Sequence, residues 1–195
     1  MNKNLAIFAS GSGSNAKNII EHFNVNNPDK GISVKITISN KANAYVLEQA
    51  KKLNVPSIVL SKEELTENTA KLMQILEDNS IDYIILAGYL LKIPQVLTSR
   101  YPGRIINIHP ALLPAYGGKG MYGHHVHEAV IAARERVSGI TIHLVDEKYD
   151  NGKILFQAKC ELTEADTPET LADKIHLLEQ AHFPQVIDQY IQSAK

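Results

Sequence analysis

The segment of residues 105–114, with the sequence IINIHPALLP, most constrains how this chain folds. Its isoleucines predict a buried strand, and Asn107 and His109 lie two residues apart in that strand. Residues two apart in a strand project from the same face. Pro110 has no N–H to continue the hydrogen-bond ladder and therefore ends the strand. Ligands of open α/β sheets bind at such strand ends, so we expect a polar site there.

Asn107 and His109 suit one kind of chemistry. An amide that donates hydrogen bonds, beside an imidazole that carries a proton, fits a reaction in which negative charge develops on an oxygen. The alternative is structural, because a buried histidine simply needs hydrogen-bond partners.

The N-terminal segment predicts a phosphate site. An apolar strand over residues 5–9 runs into the loop SGSGSN and then into a helical pattern. Gly11 and Gly13 allow a tight turn that exposes backbone N–H groups, and Ser14 or Asn15 can cap the helix, whose N-terminus attracts an anion. The alternative is a tight strand-to-helix turn without a ligand.

This glycine loop also has the spacing of a dinucleotide fingerprint, completed by Ala16. A dinucleotide site requires an acidic residue at the end of the second strand, where this chain has Ser39, Asn40 and Lys41. We therefore expect a single phosphate, and no nicotinamide or flavin cofactor.

Alternating strands and helices predict the fold class. Strands are expected at 34–39, 57–60 and 83–87, with helices at 44–53, across 65–76 and at 94–100. This order favours an α/β, Rossmann-like, mostly parallel sheet with helices on both faces.

The C-terminal part of the sequence does not continue the alternation of parallel strands and helices. A helix over residues 124–134 is followed by strands at 138–145 and 154–162, which predict an antiparallel hairpin around a turn containing Asn151 and Gly152. A long helix begins at Pro168, with a kink expected at Pro184. At 195 residues, we expect one domain over 1–195.

Composition narrows the function classes. Twenty basic against twenty-one acidic residues leave a net charge of −1, which argues against a nucleic-acid partner and favours small-molecule substrates. The only cysteine, Cys160, cannot form an internal disulfide, and this fits a reducing cytoplasm. The apolar run at 5–9 is too short to span a bilayer, so no membrane partner is expected. The oligomeric state stays open.

Histidines raise the possibility of a metal site. His124, His125, His127 and the more distant His143 are present, but no cysteine or well-spaced carboxylate completes a ligand set. We expect no metal and a substrate-facing or solvated imidazole cluster. In the preceding loop, Lys119 either serves a substrate phosphate or faces water.

The glycine loop, the Asn-x-His-Pro strand end and a later turn with the sequence YDNG over residues 149–152 together resemble the folate-dependent formyltransferase family. The motifs occur in the same order over nearly the whole chain. The resemblance implies a Rossmann-like fold and transfer of a formyl group from 10-formyltetrahydrofolate, the co-substrate, to the amine of glycinamide ribonucleotide in de novo purine biosynthesis.

The resemblance also implies roles for individual residues. The catalytic residues would be Asn107, His109 and Asp150. Gly13, Ser14 and Asn15 would bind the substrate phosphate, and Glu179 would bind the ribonucleotide. The folate site would comprise Leu90, Leu91, Lys92, Ile93 and Asn107, although the family often has an arginine where this chain has Leu91 and Lys92. The phosphate-binding half would span about residues 1–100, and the catalytic and folate-binding half about 85–195.

The implied reaction is consistent with these side chains. Asn107 and a protonated His109 would stabilise the tetrahedral oxyanion, and Asp150 would orient His109 and help to remove a proton from the attacking amine. A structural alternative for Asp150 is an ordinary hairpin turn.

Three other functions remain: formyltetrahydrofolate hydrolase, methionyl-tRNA formyltransferase and a non-catalytic nucleotide-binding module. The length of the chain argues against the first two.

Overall fold

The computed structural model describes residues 2–147 and 150–194, and the chain divides into two compact units. The first unit extends to Ile106, and the second begins at Asn107. Tyr149 of the YDNG motif lies outside the described residues. A single domain over 1–195 stays a prediction.

The first unit contains parallel strands. They are β1 (Lys3–Phe8), β2 (Ile32–Ser39), β3 (Ser57–Val59) and β4 (Tyr83–Leu86), in the order β3-β2-β1-β4. Strand β1 pairs in parallel with both β2 and β4, and its residues from Leu5 onward have no exposed surface. A strand buried on both faces reads as a continuous apolar run, which explains why the sequence predicts it well.

Five α-helices surround these strands within the described part of the first unit. They are α1 (Ser14–Ile20), α2 (Val46–Lys52), α3 (Lys62–Thr66), α4 (Ala70–Asp78) and α5 (Gln95–Arg100). The single helix expected across residues 65–76 is wrong, because α3 and α4 are separate. A capping box formed by Ser61 and Glu64 starts α3. The N–H groups of Glu67 and Asn68 both donate to the Glu63 carbonyl, and this wide turn ends the helix.

The second unit contains the predicted hairpin. Its elements are the end of β5 (Ile105–His109), then α6 (His124–Ala132), β6 (Val137–Leu144), β7 (Ile154–Glu161) and α7 (Pro168–Ser193). The strand order is β5-β6-β7, and β6 pairs antiparallel with β7. The connection over residues 145–153 is longer than a two-residue Asn-Gly turn. The α/β class with an antiparallel C-terminal hairpin is confirmed.

Helix α7 closes the second unit. It begins with a capping box at Thr167, runs continuously through the buried Pro184, and contacts α6, β6 and β7. Within residues 2–147 and 150–194, no helix combines the length and the apolar character needed to cross a bilayer.

Candidate active site

Strand β5 holds Asn107 and His109 on one face at its C-terminal end. The apolar neighbours Ile106 and Ile108 are buried and anchor the strand. The His109 side chain is 3% exposed, whereas Asn107 is half-buried. A rigid strand end therefore presents an amide and a nearly enclosed imidazole side by side.

His143, on β6, orients the Asn107 amide. Its Nδ1 lies 2.8 Å from the Leu144 carbonyl oxygen, and its Nε2 lies 3.1 Å from Asn107 Nδ2. A carbonyl only accepts hydrogen bonds, so Nδ1 carries the proton and Nε2 of the neutral ring is an acceptor. Asn107 Nδ2 therefore donates to His143. The second N–H of the amide stays available for another acceptor.

His109 is held by a backbone carbonyl. Its Nε2 lies 2.8 Å from the Tyr116 carbonyl oxygen, so the neutral ring donates its Nε2–H to that oxygen. Its Nδ1 then bears the lone pair and faces the Asp150 carboxylate, with 3.8 Å between Nδ1 and Oδ2. This distance exceeds that of a direct hydrogen bond. Nδ1 is thus the nitrogen that can accept a proton.

Asp150 connects the two histidines to the loop after β5. Its Oδ2 accepts a 2.8 Å hydrogen bond from the Gly118 N–H, and its Oδ1 lies 3.6 Å from His143 Nε2. The backbone of Asp150 has a φ of 50°, in the left-handed region that Asp and Asn tolerate better than most residues. The carboxylate is therefore placed by its own backbone and by Gly118, and not by a two-residue hairpin turn.

The loop at 116–118 contacts both His109 and Asp150. A Cβ atom on Gly117 would lie 2.6 Å from Leu113 Cδ2 and 3.3 Å from Asp150 Cβ, so the Leu113 side chain would have to move to accept a larger residue there. The Tyr116 hydroxyl donates a 2.7 Å hydrogen bond to Glu135, and this bond raises the pKa of Tyr116 to about 12. The side chain of Tyr116 thus anchors the loop whose carbonyl binds His109.

Burial controls the charge of both site histidines. It lowers the pKa of His109, against opposing contributions from Asp150 and the Tyr116 carbonyl. Burial also lowers the pKa of His143, opposed by the Leu144 carbonyl and Asp150. Both rings are therefore neutral near pH 7. A protonated His109, as expected from the sequence, requires that the proton arrive during the reaction.

These shifts predict that stability falls below pH 6.5. His109, His127 and His143 are buried and have lowered pKa values, so the folded chain binds fewer protons than the unfolded chain. Their contribution to stability is complete above the ordinary pKa of 6.5 and is lost as the pH falls toward the folded values. Each of these histidines lowers the free energy of unfolding by about 1.4 kcal/mol for each pH unit of decrease within that window.

Thermal denaturation between about pH 7.5 and about pH 5.5 checks this prediction. His143→Gln should flatten the decrease of Tm with falling pH. His125→Gln replaces a histidine whose side chain is 62% exposed and should leave the decrease unchanged. A Tm that stays constant over this range in the parent protein would contradict the prediction.

The predicted phosphate loop lies in the first unit, between β1 and α1. Gly13 has a φ of 76° and is the N-cap of α1, followed by the half-buried Ser14 and the buried Asn15. A Cβ atom on Gly13 would lie 2.6 Å from the Cα atom of Val46. Gly13 is thus required by the packing of α1 against α2 whether or not a phosphate binds.

The predicted folate segment also lies in the first unit and forms the loop between β4 and α5. Leu90 and Lys92 are exposed, Leu91 is half-buried, and Ile93 is buried. The N–H of Leu90 donates a 3.2 Å hydrogen bond to the Ser10 hydroxyl, so this segment lies beside the start of the phosphate loop.

The remaining candidates lie on helices of the second unit. Glu179, on α7, is half-buried, and its Oε2 lies 3.9 Å from His176 Nδ1. His124 and His125, on α6, are exposed and contact Glu128, whereas His127 is buried. Among residues 2–147 and 150–194, no group of three or more His, Cys, Asp or Glu side chains is arranged to hold a metal ion.

The structure brings Asn107, His109 and Asp150 together and adds His143 to them. Sequence reasoning considered His143 only as a distant metal ligand. One signal was available, since Thr141 and His143 alternate with Ile140, Ile142 and Leu144 and therefore share a strand face.

The family described as formyl transferase matches residues 3–187. The chain is 37% identical over 192 residues to a phosphoribosylglycinamide formyltransferase of Bacillus subtilis, covering 97% of this chain and 95% of that protein. A solved structure of the Bacillus halodurans phosphoribosylglycinamide formyltransferase superimposes with a TM-score of 0.88 at 37% identity, covering 99% of this chain and 97% of the other.

A chloroplastic phosphoribosylglycinamide formyltransferase of Arabidopsis thaliana is 39% identical over 189 residues. The match covers 95% of this chain but only 64% of the plant protein. This chain therefore spans about two thirds of that relative.

Proposed function

The chain belongs to the formyl transferase family, and from this we propose that it transfers a formyl group from 10-formyltetrahydrofolate to the amine of glycinamide ribonucleotide in de novo purine biosynthesis. The acceptor follows the names of the bacterial relatives matched over most of their length. The proposed compartment is the cytoplasm.

One observation carries this proposal: the Asn107 amide, neutral His109 and Asp150 carboxylate converge at the end of β5. Formyl transfer to an amine passes through a tetrahedral oxyanion, and the attacking nitrogen must lose a proton. The free N–H of the Asn107 amide is a donor for the oxyanion, and His143 keeps that amide from rotating.

The proposed proton acceptor is His109 Nδ1. It bears the lone pair because Nε2–H is bonded to the Tyr116 carbonyl. When Nδ1 takes the amine proton, the ring becomes an imidazolium that faces the Asp150 carboxylate at 3.8 Å. Asp150 stabilises that charge and raises the pKa of His109, so proton transfer becomes more favourable. The tetrahedral intermediate then collapses, the bond between the formyl carbon and N10 of the folate breaks, and the imidazolium returns the proton to N10 as tetrahydrofolate leaves.

The binding assignments are part of the same proposal. Gly13, Ser14 and Asn15 bind the substrate phosphate with backbone N–H groups and the Ser14 hydroxyl. Leu90, Leu91, Lys92, Ile93 and Asn107 contact the folate, and Glu179 binds the ribonucleotide. The supporting observation is that Ser10 joins the phosphate loop to the 90–93 segment.

The phosphate assignment predicts the effect of Ser14→Ala. Loss of a hydroxyl bound to a charged group should raise the KM for glycinamide ribonucleotide about tenfold or more, with the KM for the folate little changed. Initial-rate kinetics with each substrate varied measures this. Ser99→Ala is the matched control, because it removes the hydroxyl of an exposed serine on α5, outside the loop between β1 and α1. Gly13→Val is not a suitable test of phosphate binding, because the valine side chain would also clash with the backbone of Val46. An unchanged KM in Ser14→Ala would remove Ser14 from the site.

A comparison of three acceptors tests the proposed function itself. The purified chain is incubated with 10-formyltetrahydrofolate and with glycinamide ribonucleotide, methionyl-tRNA or buffer alone, and mass spectrometry follows the formylated product and free formate. Formylation of the ribonucleotide alone supports the proposal. Formate release without an acceptor would indicate a hydrolase, formylated methionyl-tRNA would indicate the tRNA enzyme, and binding without turnover would indicate a non-catalytic module.

A further inference from the structure

The loop that follows His109 is held by two side chains from the β6–β7 hairpin. The backbone of residues 111–113 contacts Thr141 on β6 and Gln157 on β7, which lie opposite each other in the antiparallel ladder. Among the residues that the structure describes, neither side chain is hydrogen-bonded to Asn107, His109 or Asp150. Their role in the site therefore depends on what they do to the loop.

Thr141 uses all of its hydrogen-bonding capacity on this loop and on Gln157. Its hydroxyl donates to the Ala111 carbonyl at 2.7 Å and accepts from the Leu113 N–H at 2.9 Å. It also accepts from Gln157 Nε2 at 2.9 Å. A hydroxyl has one donor and two acceptor positions, so every position is filled. The side chain is completely buried, so water cannot replace a lost bond.

Gln157 completes the arrangement. Its Nε2 donates both to Thr141 Oγ1 and to the Leu113 carbonyl, the latter at 3.0 Å. The N–H and the carbonyl of Leu113 are thus both bonded to the pair. The backbone of the loop has little freedom to move relative to the hairpin that also carries His143.

The position of this loop matters because both of its ends belong to the site. His109 precedes it, and Tyr116, whose carbonyl receives the His109 Nε2–H, follows it. We propose that Thr141 and Gln157 are positioning residues that hold residues 111–113 in place. By doing so they keep the Tyr116 carbonyl within hydrogen-bonding distance of His109 Nε2, and the lone pair of His109 Nδ1 then faces Asp150. The kinetic part of this inference rests on the proposed formyl transfer.

A spectroscopic experiment tests the proposal without substrate. In protein labelled with ¹⁵N-histidine, the Nε2–H of His109 should give a protected resonance, assigned by its absence in His109→Gln. Thr141→Val, which keeps the shape and removes the hydroxyl, should shift or broaden this resonance. Thr141→Ser keeps the hydroxyl, so the His109 resonance should stay as it is in the parent protein. A resonance unchanged in Thr141→Val would overturn the proposal even if the parent protein were inactive toward glycinamide ribonucleotide.

Kinetics supply the second readout. Displacement of the acceptor carbonyl should lower kcat by about 10- to 100-fold in Thr141→Val with both KM values little altered, and Thr141→Ser should restore most of the rate. Ser138→Ala is the matched control, because Ser138 lies on the same strand, is buried, and has a hydroxyl with no hydrogen-bond partner in the part of the chain that the structure describes. Equal kcat values in Thr141→Val and Ser138→Ala would contradict the positioning role.

Gln157→Met provides a variant that does not disturb a completely buried position. It removes both amide donors at similar volume and should show the same His109 resonance change as Thr141→Val. Because the two residues hold one loop, the double variant should lose little more rate than the worse single variant. Rate losses that multiply would show that the two side chains act independently and would overturn the proposal.

Discussion

Replacement of Asp150 by Asn should lower kcat by about 10² to 10⁴, with KM and Tm changed much less. The variant removes the charge that stabilises protonated His109 and keeps the shape of the side chain. Asn tolerates the left-handed backbone at this position, where φ is 50°. Its amide oxygen can still accept the Gly118 N–H. A residue that only formed a turn would tolerate this change.

The pH profile distinguishes the two roles of Asp150 further. In the parent, kcat/KM should decrease on the acid side with an apparent pKa below 6.5, as His109 becomes protonated. The Asp150 carboxylate raises the pKa of His109, so its removal should move this acid limb to lower pH. Asp173→Asn removes an exposed carboxylate from α7, away from both site histidines, and serves as the control. A kcat within about threefold of the parent would reduce Asp150 to a structural residue.

Replacement of Asn107 by Asp should lower kcat by about 10² to 10³, the effect of removing one donor from an oxyanion site. Asp has nearly the same shape but offers no N–H, so it neither stabilises the oxyanion nor donates to His143 Nε2. A carboxylate there also attracts a proton to His143. The KM for the ribonucleotide should change little, because the lost interaction forms only in the transition state.

Single-turnover kinetics measures this effect on the chemical step directly. Asn68→Asp makes the same chemical change at an exposed amide between α3 and α4 and should leave the rate near the parent value. A single-turnover rate in Asn107→Asp equal to that of Asn68→Asp would exclude an oxyanion role for Asn107.

The sequence alone predicted the elements whose signal is local. The apolar run before Asn107 and His109 indicated β5, and the strand period placed both side chains on one face. The alternation of strands and helices indicated the α/β class, and the alternating pattern after residue 137 indicated the β6–β7 hairpin. The boundary between α3 and α4 was missed because the apolar spacing continues across the break.

Only the tertiary structure decided how the site is assembled. The contacts of His143 with Asn107, of Gly118 with Asp150 and of Gln157 with Leu113 join residues more than thirty positions apart. Thr141 is hydrogen-bonded to Leu113 across 28 positions. It also decided the charge of His109. A histidine in a sequence has an ordinary pKa, whereas burial in the folded chain lowers that pKa, and the Tyr116 carbonyl determines which nitrogen holds the proton. Burial and hydrogen-bond partners are set by packing between distant segments, which no local pattern encodes.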